Sequence, residues 1–230
     1  EGTIVGIGGL EGQGQRELSR ALFGLARFTG GDYFIDGKKV KIHSPADAIR
    51  HKISFVPEDR KSEGLCLALS VRENILSMVL KKNSRFGFMN KKAEDKDTEE
   101  GIRQLGIRVG HPRMKVSRLS GEKKKKIVFS KWIKTNPEIL YLNEPTRGVD
   151  VQSKLEIYAL IRELTRQGVS VVIFTSDMME LIGLSDEIYI MYEGRISGQI
   201  SGREATEERI MQYSAKRAHT ETEGEGSESV

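Results

Sequence analysis

Residues 3–18 read TIVGIGGLEGQGQREL. The first six form a short apolar run rich in β-branched residues, and QREL begins a helical pattern that continues through SRALFG, so a strand passes through a glycine-rich turn straight into a helix. That succession belongs to an α/β domain. Gly9, Gly12 and Gly14 have the spacing of a loop whose backbone N–H groups turn inward around a phosphate at the positive end of the following helix. Such a loop ordinarily ends in a lysine and a serine or threonine, yet Gln15 and Arg16 stand in those places. Loss of the charge-assisted bond alone costs roughly 1.5–3 kcal/mol of phosphate binding, and loss of the hydroxyl removes a metal ligand. The same glycines also suit a plain strand-to-helix turn with no ligand, and on this stretch both readings stay open.

Further along, apolar strand-like runs keep alternating with helical patterns: ISFVP then VRENILSMVL, ILYLNE then SKLEIYALIREL, VSVVIFT then MMELIGL, and finally EIYIMYEG. Alternation of this kind predicts a mostly parallel sheet with crossover helices. The helix from about Val151 to Gln167 is expected to bury Leu155, Tyr158, Ile161 and Leu164 as one stripe and to end at Gly168. YFIDGKKVKI reads as a hairpin turning at Asp36-Gly37 at a sheet edge. Between about Val71 and Asn136 the strand signal disappears and the text becomes helical and charged, which predicts an inserted helical subdomain. The expected partition is a first part of the core over 1–70, the helical subdomain over 71–136, a second part of the core over 137–213 and an acidic disordered tail over 214–230. Because the glycine loop comes almost at once, the chain is expected to be a piece of a longer polypeptide.

At 230 residues the chain is long enough to bury a proper core. Its longest apolar runs are far too short to cross a bilayer. A single cysteine, Cys66, rules out an internal disulfide and fits a reducing compartment, so a cytosolic location is expected. The net charge of +4 is a small difference between 37 basic and 33 acidic side chains and argues weakly for nucleic acid. No aromatics interleave with the lysine run Lys123–Lys126, so a nucleic-acid partner is not expected.

Three more stretches carry chemistry. ILYLNEPTRGVD, residues 139–150, ends a buried strand at Asn143 and Glu144, where related phosphate chemistry places a metal-binding carboxylate and a base for the attacking water. Asn143 carries no charge; Glu144 is the candidate base, or else a solvated strand end. RLSGEKKKKIVFSKWI, residues 118–133, opens a helix at Ser120-Gly121, which either clasps a phosphate or merely caps the helix. The lysines behind it read as an ordinary solvated face, or as a helix start made tolerable by a nearby anion. TSDMMEL places Ser176 and Asp177 at a strand end. No Cys/His metal cluster and no Ser-His-Asp set can be assembled, and no metal site is expected from protein ligands alone.

In chain order, GLEGQGQREL, VPEDRKSEGL, SVRENI, LSGEKKKKI, LNEPTRGVDV, SDMMELIGLSDEIYIMYEGRISG and REATEERIM resemble the nucleotide-binding domain of an ABC transporter. The likeness runs from about Thr3 to Tyr213 and is nearest to the second, C-terminal ATPase domain of the tandem proteins that power importers of ribose and other monosaccharides. The resemblance implies a P-loop NTPase-like core, with ATP and magnesium as cofactors and magnesium held weakly at this chain's own site. It further implies catalysis by Glu144 and nucleotide contacts from Gly9, Gly12, Gly14, Gln15, Arg16, Glu58, Ser120, Gly121, Asn143, Asp150 and Ser176. In that family two domains sandwich two nucleotides, each held between the glycine loop of one and the Ser-Gly signature of the other, so a degenerate loop leaves the domain a lender of its signature.

Three departures bear on that. The signature continues Gly-Asn-Gln-Gln-Lys in the family but Glu122 and lysines here, Asn143 replaces the usual aspartate, and the family's opening hairpin with its adenine-stacking aromatic does not precede the glycine loop in this sequence, so poor base recognition is expected; Ser176 and Asp177 stand where a phosphate-sensing histidine would be expected. Glu58 takes the slot of a glutamine that reports on the phosphate and on the membrane partner. The implied partners are another ABC ATPase domain, N-terminal in the same polypeptide, transmembrane permease subunits and, indirectly, a periplasmic sugar-binding protein. The implied location is the inner face of the cell membrane. A non-hydrolytic regulatory half, or an importer of nucleosides, is the alternative.

Overall fold

The computed structural model describes residues 2–80, 84–85, 88–89 and 91–215; the acidic tail from residue 216 onward lies outside them. A six-stranded sheet runs in the order β10-β9-β1-β8-β7-β4. Its members are β1 (Ile4–Gly8), β4 (Ile53–Val56), β7 (Ile139–Asn143), β8 (Ser170–Thr175), β9 (Glu187–Tyr192) and β10 (Arg195–Ser201). All adjacent pairs are parallel except β9 with β10. The register sets Gly8 opposite Thr175 and Asn143 opposite Phe174, so the carboxyl ends of β1, β7 and β8 finish level. Loops leaving that edge meet in one crevice, the usual ligand position in open parallel sheets.

The helices are α1 (Gln15–Leu22), α2 (Pro45–Arg50), α3 (Val71–Leu76), α4 (Lys91–Gln104), α5 (Gly121–Ile133), α6 (Val151–Arg166), α7 (Met178–Leu184) and α8 (Glu207–Ala215). Most start on side-chain caps that take up their first free N–H groups: Ser44 for α2, Ser70 with Glu73 for α3, Ser120 for α5, Asp150 for α6 and Asp177 for α7. α3, α4 and α5 group together between β4 and β7, and α5 also packs on β4. From Lys124 to Ser130 every residue of α5 is buried, which is how a helix looks when it runs through a core and not over a surface.

Four readings of the sequence change here. Residues 33–40 do turn at Asp36-Gly37, both with positive φ, but β2 (Tyr33–Ile35) and β3 (Lys38–Val40) form a separate two-stranded sheet and not an edge of the main one. The helical stretch contains a second small ladder, β5 (Ser84–Arg85) with β6 (Phe88–Met89). On α6 the buried residues include Ile157, Ile161 and Leu164, whereas Leu155 is 62% exposed. Steps of three fall short of the 3.6-residue turn and drift half-way round the helix between Leu155 and Leu164. Finally, Lys124, Lys125 and Lys126 are buried, so the lysine run is no solvated face.

Candidate functional site

The glycine loop is held in shape by its own side chains and by a neighbouring turn. Gln15 is 7% exposed and folds back, its Nε2 donating to the Leu10 carbonyl at 3.1 Å. Gln13 accepts from the Glu193 N–H at 2.7 Å through Oε1 and from the Gly194 N–H at 2.9 Å through its carbonyl, which ties the loop to the turn between β9 and β10. Gly9 has φ +149°, and a Cβ there would come 2.4 Å from the Met191 carbonyl oxygen, so no other residue fits without moving backbone. Gly14 caps α1 and supplies no side-chain acceptor. The first N–H groups of α1 therefore take no side-chain acceptor from their cap, at a positive helix end.

Arg16, one residue into α1, points its guanidinium at carboxylates: Nε lies 3.9 Å from Glu58 and Nη2 lies 3.7 Å from Glu63. Glu63 also takes a two-pronged contact from Arg20 at 2.8 and 2.9 Å. Glu58 itself follows β4 and accepts from Arg147 at 2.9 Å, while the other arm of Arg147 reaches Glu11 of the glycine loop at 2.9 Å. Arg147 thus spans the crevice, and its pKa is raised, first by the hydrogen bond to Glu11. The spacing of ILYLNEPTRGVD gave this arginine no role; only the fold brings it beside residues 89 and 136 positions away.

Glu144 leaves β7 in the left-handed region, φ +46°, with its N–H on the Phe174 carbonyl at 2.8 Å. One carboxylate oxygen accepts from the Ser176 N–H at 2.8 Å and the Ser176 hydroxyl at 3.0 Å, and the other from Thr175 at 3.3 Å. Beneath this turn, Lys125 is fully buried and donates to the Glu144 carbonyl at 3.0 Å. Burial and then the charge of Arg60 bring its pKa down to about 8 against the pull of Glu180, Glu144 and Glu58. Glu180 on α7 is also fully buried; Thr146 donates to its Oε1 at 2.7 Å, and its Oε2 has no partner among the described residues. Burial pushes the Glu180 pKa up, with the hydroxyls of Thr175 and Thr146 pulling it back.

Ser120 caps α5 by accepting from Lys123 N at 3.4 Å, and Gly121 lies under Arg60, whose Nη2 is 2.7 Å from where a Cβ would sit. Arg60 also donates to the Arg147 carbonyl at 3.4 Å, so the start of α5 and the turn after Glu144 share one guanidinium. Asp150 uses both carboxylate oxygens on Ser153, at 2.9 and 2.6 Å, to cap α6. The loop residues, Glu58, Asn143, Glu144 and Ser176 therefore gather at one sheet edge, while Asp150 serves its helix. Sequence reading missed Arg147, Lys125, Glu180, Thr146 and Arg60; for the first four the only signal was position beside a motif.

Magnesium does not fit this donor set. The hydroxyl place holds a guanidinium already facing carboxylates, Asn143 is neutral and 4% exposed, and no cluster of metal-ligating side chains exists among the described residues. Nor, among them, is any helix long and apolar enough to cross a membrane.

A family profile described as ABC transporter matches residues 1–147. The chain is 41% identical over 210 residues to the ribose import ATP-binding protein RbsA of Yersinia pestis and 46% identical over 210 residues to that of Bacillus licheniformis, covering 91% of this chain in each case. It is 41% identical over 218 residues to a putative ribose/galactose/methyl galactoside import ATP-binding protein of Halalkalibacterium halodurans, covering 95% of this chain and 42% of that one. The chain spans about two fifths of the length of these relatives, 41% and 43% of the first two. In fold it is similar to the ATP-binding cassette MJ0796 in a dimeric post-hydrolysis state bound to ADP and Pi, with a TM-score of 0.76, 23% identity, and coverage of 88% of this chain and 87% of that one. A nucleotide-free ATP-binding cassette from an ABC transporter gives 0.75 at 20% identity, covering 92% and 84%. On the profile match and on these identities, the chain belongs to the ABC transporter family.

Proposed function

We propose that this chain is the degenerate ATPase half of a ribose-type sugar importer, C-terminal in a tandem protein, working against a second ATPase domain and on transmembrane permease subunits at the cytoplasmic face of the membrane. Relatives named ribose import ATP-binding protein at 41–46% identity support the cargo class. The observation that carries the degeneracy is Arg16: a guanidinium paired towards Glu58 stands where a metal-binding hydroxyl would be. In the proposed assembly Gly9, Gly12, Gly14 and the start of α1 take the phosphates of this chain's own nucleotide, and Ser120-Gly121 is offered to the partner's. Glu144 would act as the base, with Ser176 and Thr175 donating to its carboxylate. With magnesium and ATP the isolated chain is expected to release phosphate barely above background; steady turnover abolished by Glu144→Gln would refute the proposal. A complete GK[ST] loop encoded upstream would support it.

A second reading has its own support in the Glu11–Arg147–Glu58 bridge. Two guanidiniums, Arg16 and Arg147, are available to meet phosphates without metal, which describes a non-hydrolytic nucleotide-binding half. ATP binding that is equally tight in EDTA and in magnesium would favour it.

A further inference from the structure

We propose that Lys125 is a positioning residue for Glu144, its buried side chain gripping the carbonyl of the left-handed turn on which that carboxylate stands. The proposal rests on the reading of Glu144 as the base.

A positive φ on a residue other than glycine is held only where the surroundings over-determine it. At Glu144 the determinants can be named. The N–H goes to Phe174 across the sheet, the carboxylate goes to Ser176 and Thr175, and the carbonyl takes Lys125 Nζ at 3.0 Å. The first two anchors come from β8, next to β7 in the sheet. The third comes from α5, the helix that begins at Ser120-Gly121, and it runs directly to the carbonyl of Glu144. A lysine with no exposed surface is costly unless its charge is answered. The charged groups whose fields act on it are Arg60 from the turn after β4, Glu58 two residues past β4, Glu144 itself and Glu180 from α7. Glu180 is the one of these carboxylates that is fully buried too, and the Thr146 hydroxyl donates to it at 2.7 Å. An ammonium bond to a carbonyl is about twice as strong as a neutral one, so the grip weakens when the proton leaves.

The decisive measurement is NMR on the chain labelled at lysine Nζ, glutamate Cδ and the backbone amides, titrated between about pH 6 and 10. The expected result is that the Ser176 amide and the Glu144 carboxyl carbon move together, with the midpoint of the Lys125 Nζ signal. If both stay still while Lys125 titrates, the proposal is overturned. Lys125→Met, checked for folding by circular dichroism, should displace the same two signals at pH 7, and Lys125→Arg, which keeps a cationic donor, should restore them in part. A folded Lys125→Met chain with both signals at their wild-type positions also overturns it. Where the wild type hydrolyses ATP, Lys125→Met is expected to lower kcat about tenfold to a hundredfold with KM for ATP little changed, the cost of a misplaced group; equal loss in both would count against positioning. Near-zero phosphate release by the isolated wild type is what the degenerate reading expects; the NMR titration then decides by itself whether Lys125 sets the place of Glu144, so failure of one reading is distinguished from failure of the other.

Discussion

Ser176 binds Glu144 twice through one carboxylate oxygen, by its backbone N–H at 2.8 Å and by its hydroxyl at 3.0 Å. The end of β8 therefore holds the end of β7 by a side chain as well as by the ladder. Ser176→Ala removes the hydroxyl but leaves the stronger, geometrically fixed N–H. A loss of about 1 kcal/mol is expected, the net worth of one hydrogen bond strengthened by charge but partly exposed. Urea unfolding of the pair of proteins measures it, and a loss above about 3 kcal/mol would show that more than this contact depends on the serine.

The Arg147 bridge separates stability from binding. Its side chain is 48% exposed, and Glu58 and Glu11 are 24% and 71% exposed, so solvent screens both pairs. Arg147→Ala should change stability by no more than about 1 kcal/mol. If guanidiniums meet the phosphates, the same change weakens ATP binding in EDTA by about tenfold to a hundredfold. Calorimetric titration with ATP in EDTA tests this, and unchanged affinity would remove Arg147 from the phosphate site.

Two glycines of the same loop should respond differently to alanine. At Gly9 a Cβ meets the Met191 carbonyl, a backbone atom that cannot yield; at Gly12, φ +83°, it meets nothing within 4 Å. Gly12→Ala then carries only the left-handed strain of about 1–2 kcal/mol, whereas Gly9→Ala adds a clash and should cost about 3 kcal/mol or more. Thermal or urea unfolding gives the order, and equal losses would contradict the loop geometry.

Lys125 gives stability a pH dependence of known sign. Folded, it titrates near about 8; unfolded, near 10.5. Between these values the unfolded chain holds the extra proton, so unfolding free energy rises as pH increases through the window. The full change is about 3 kcal/mol, at 1.36 kcal/mol per unit. Lys125→Met should flatten that rise, and Glu180→Gln, by removing a charge that favours the ammonium, should move it to lower pH. Urea midpoints from pH 7 to 10.5 report both effects, and stability that falls through this window in the wild type, relative to Lys125→Met, would overturn the assignment.

How much of this could be read beforehand depended on range. Strands such as ISFV and ILYL are nearly continuous apolar runs because both faces of a parallel sheet are covered, and their alternation with helical patterns is a local signal, so the class was legible. The lysine run misled because charge in sequence normally means solvent. Here the long stems lie in the core and the amines reach carbonyls or carboxylates: Ser117 for Lys124, Glu144 for Lys125, Glu122 and Glu156 for Lys126. Arg147 and Glu180 were illegible because their partners lie far along the chain: a side chain's role there is set by topology, which periodicity does not encode.

The inward fold of Gln15 has a last consequence for engineering. Its amide bonds Leu10 from within the loop, so exchanging it for a lysine would vacate an internal strut at the same time as it offered a charge. Recovering a working cassette by that single replacement is therefore not to be expected, because Arg16 would still occupy the cation's place and the loop would have lost one of its own supports.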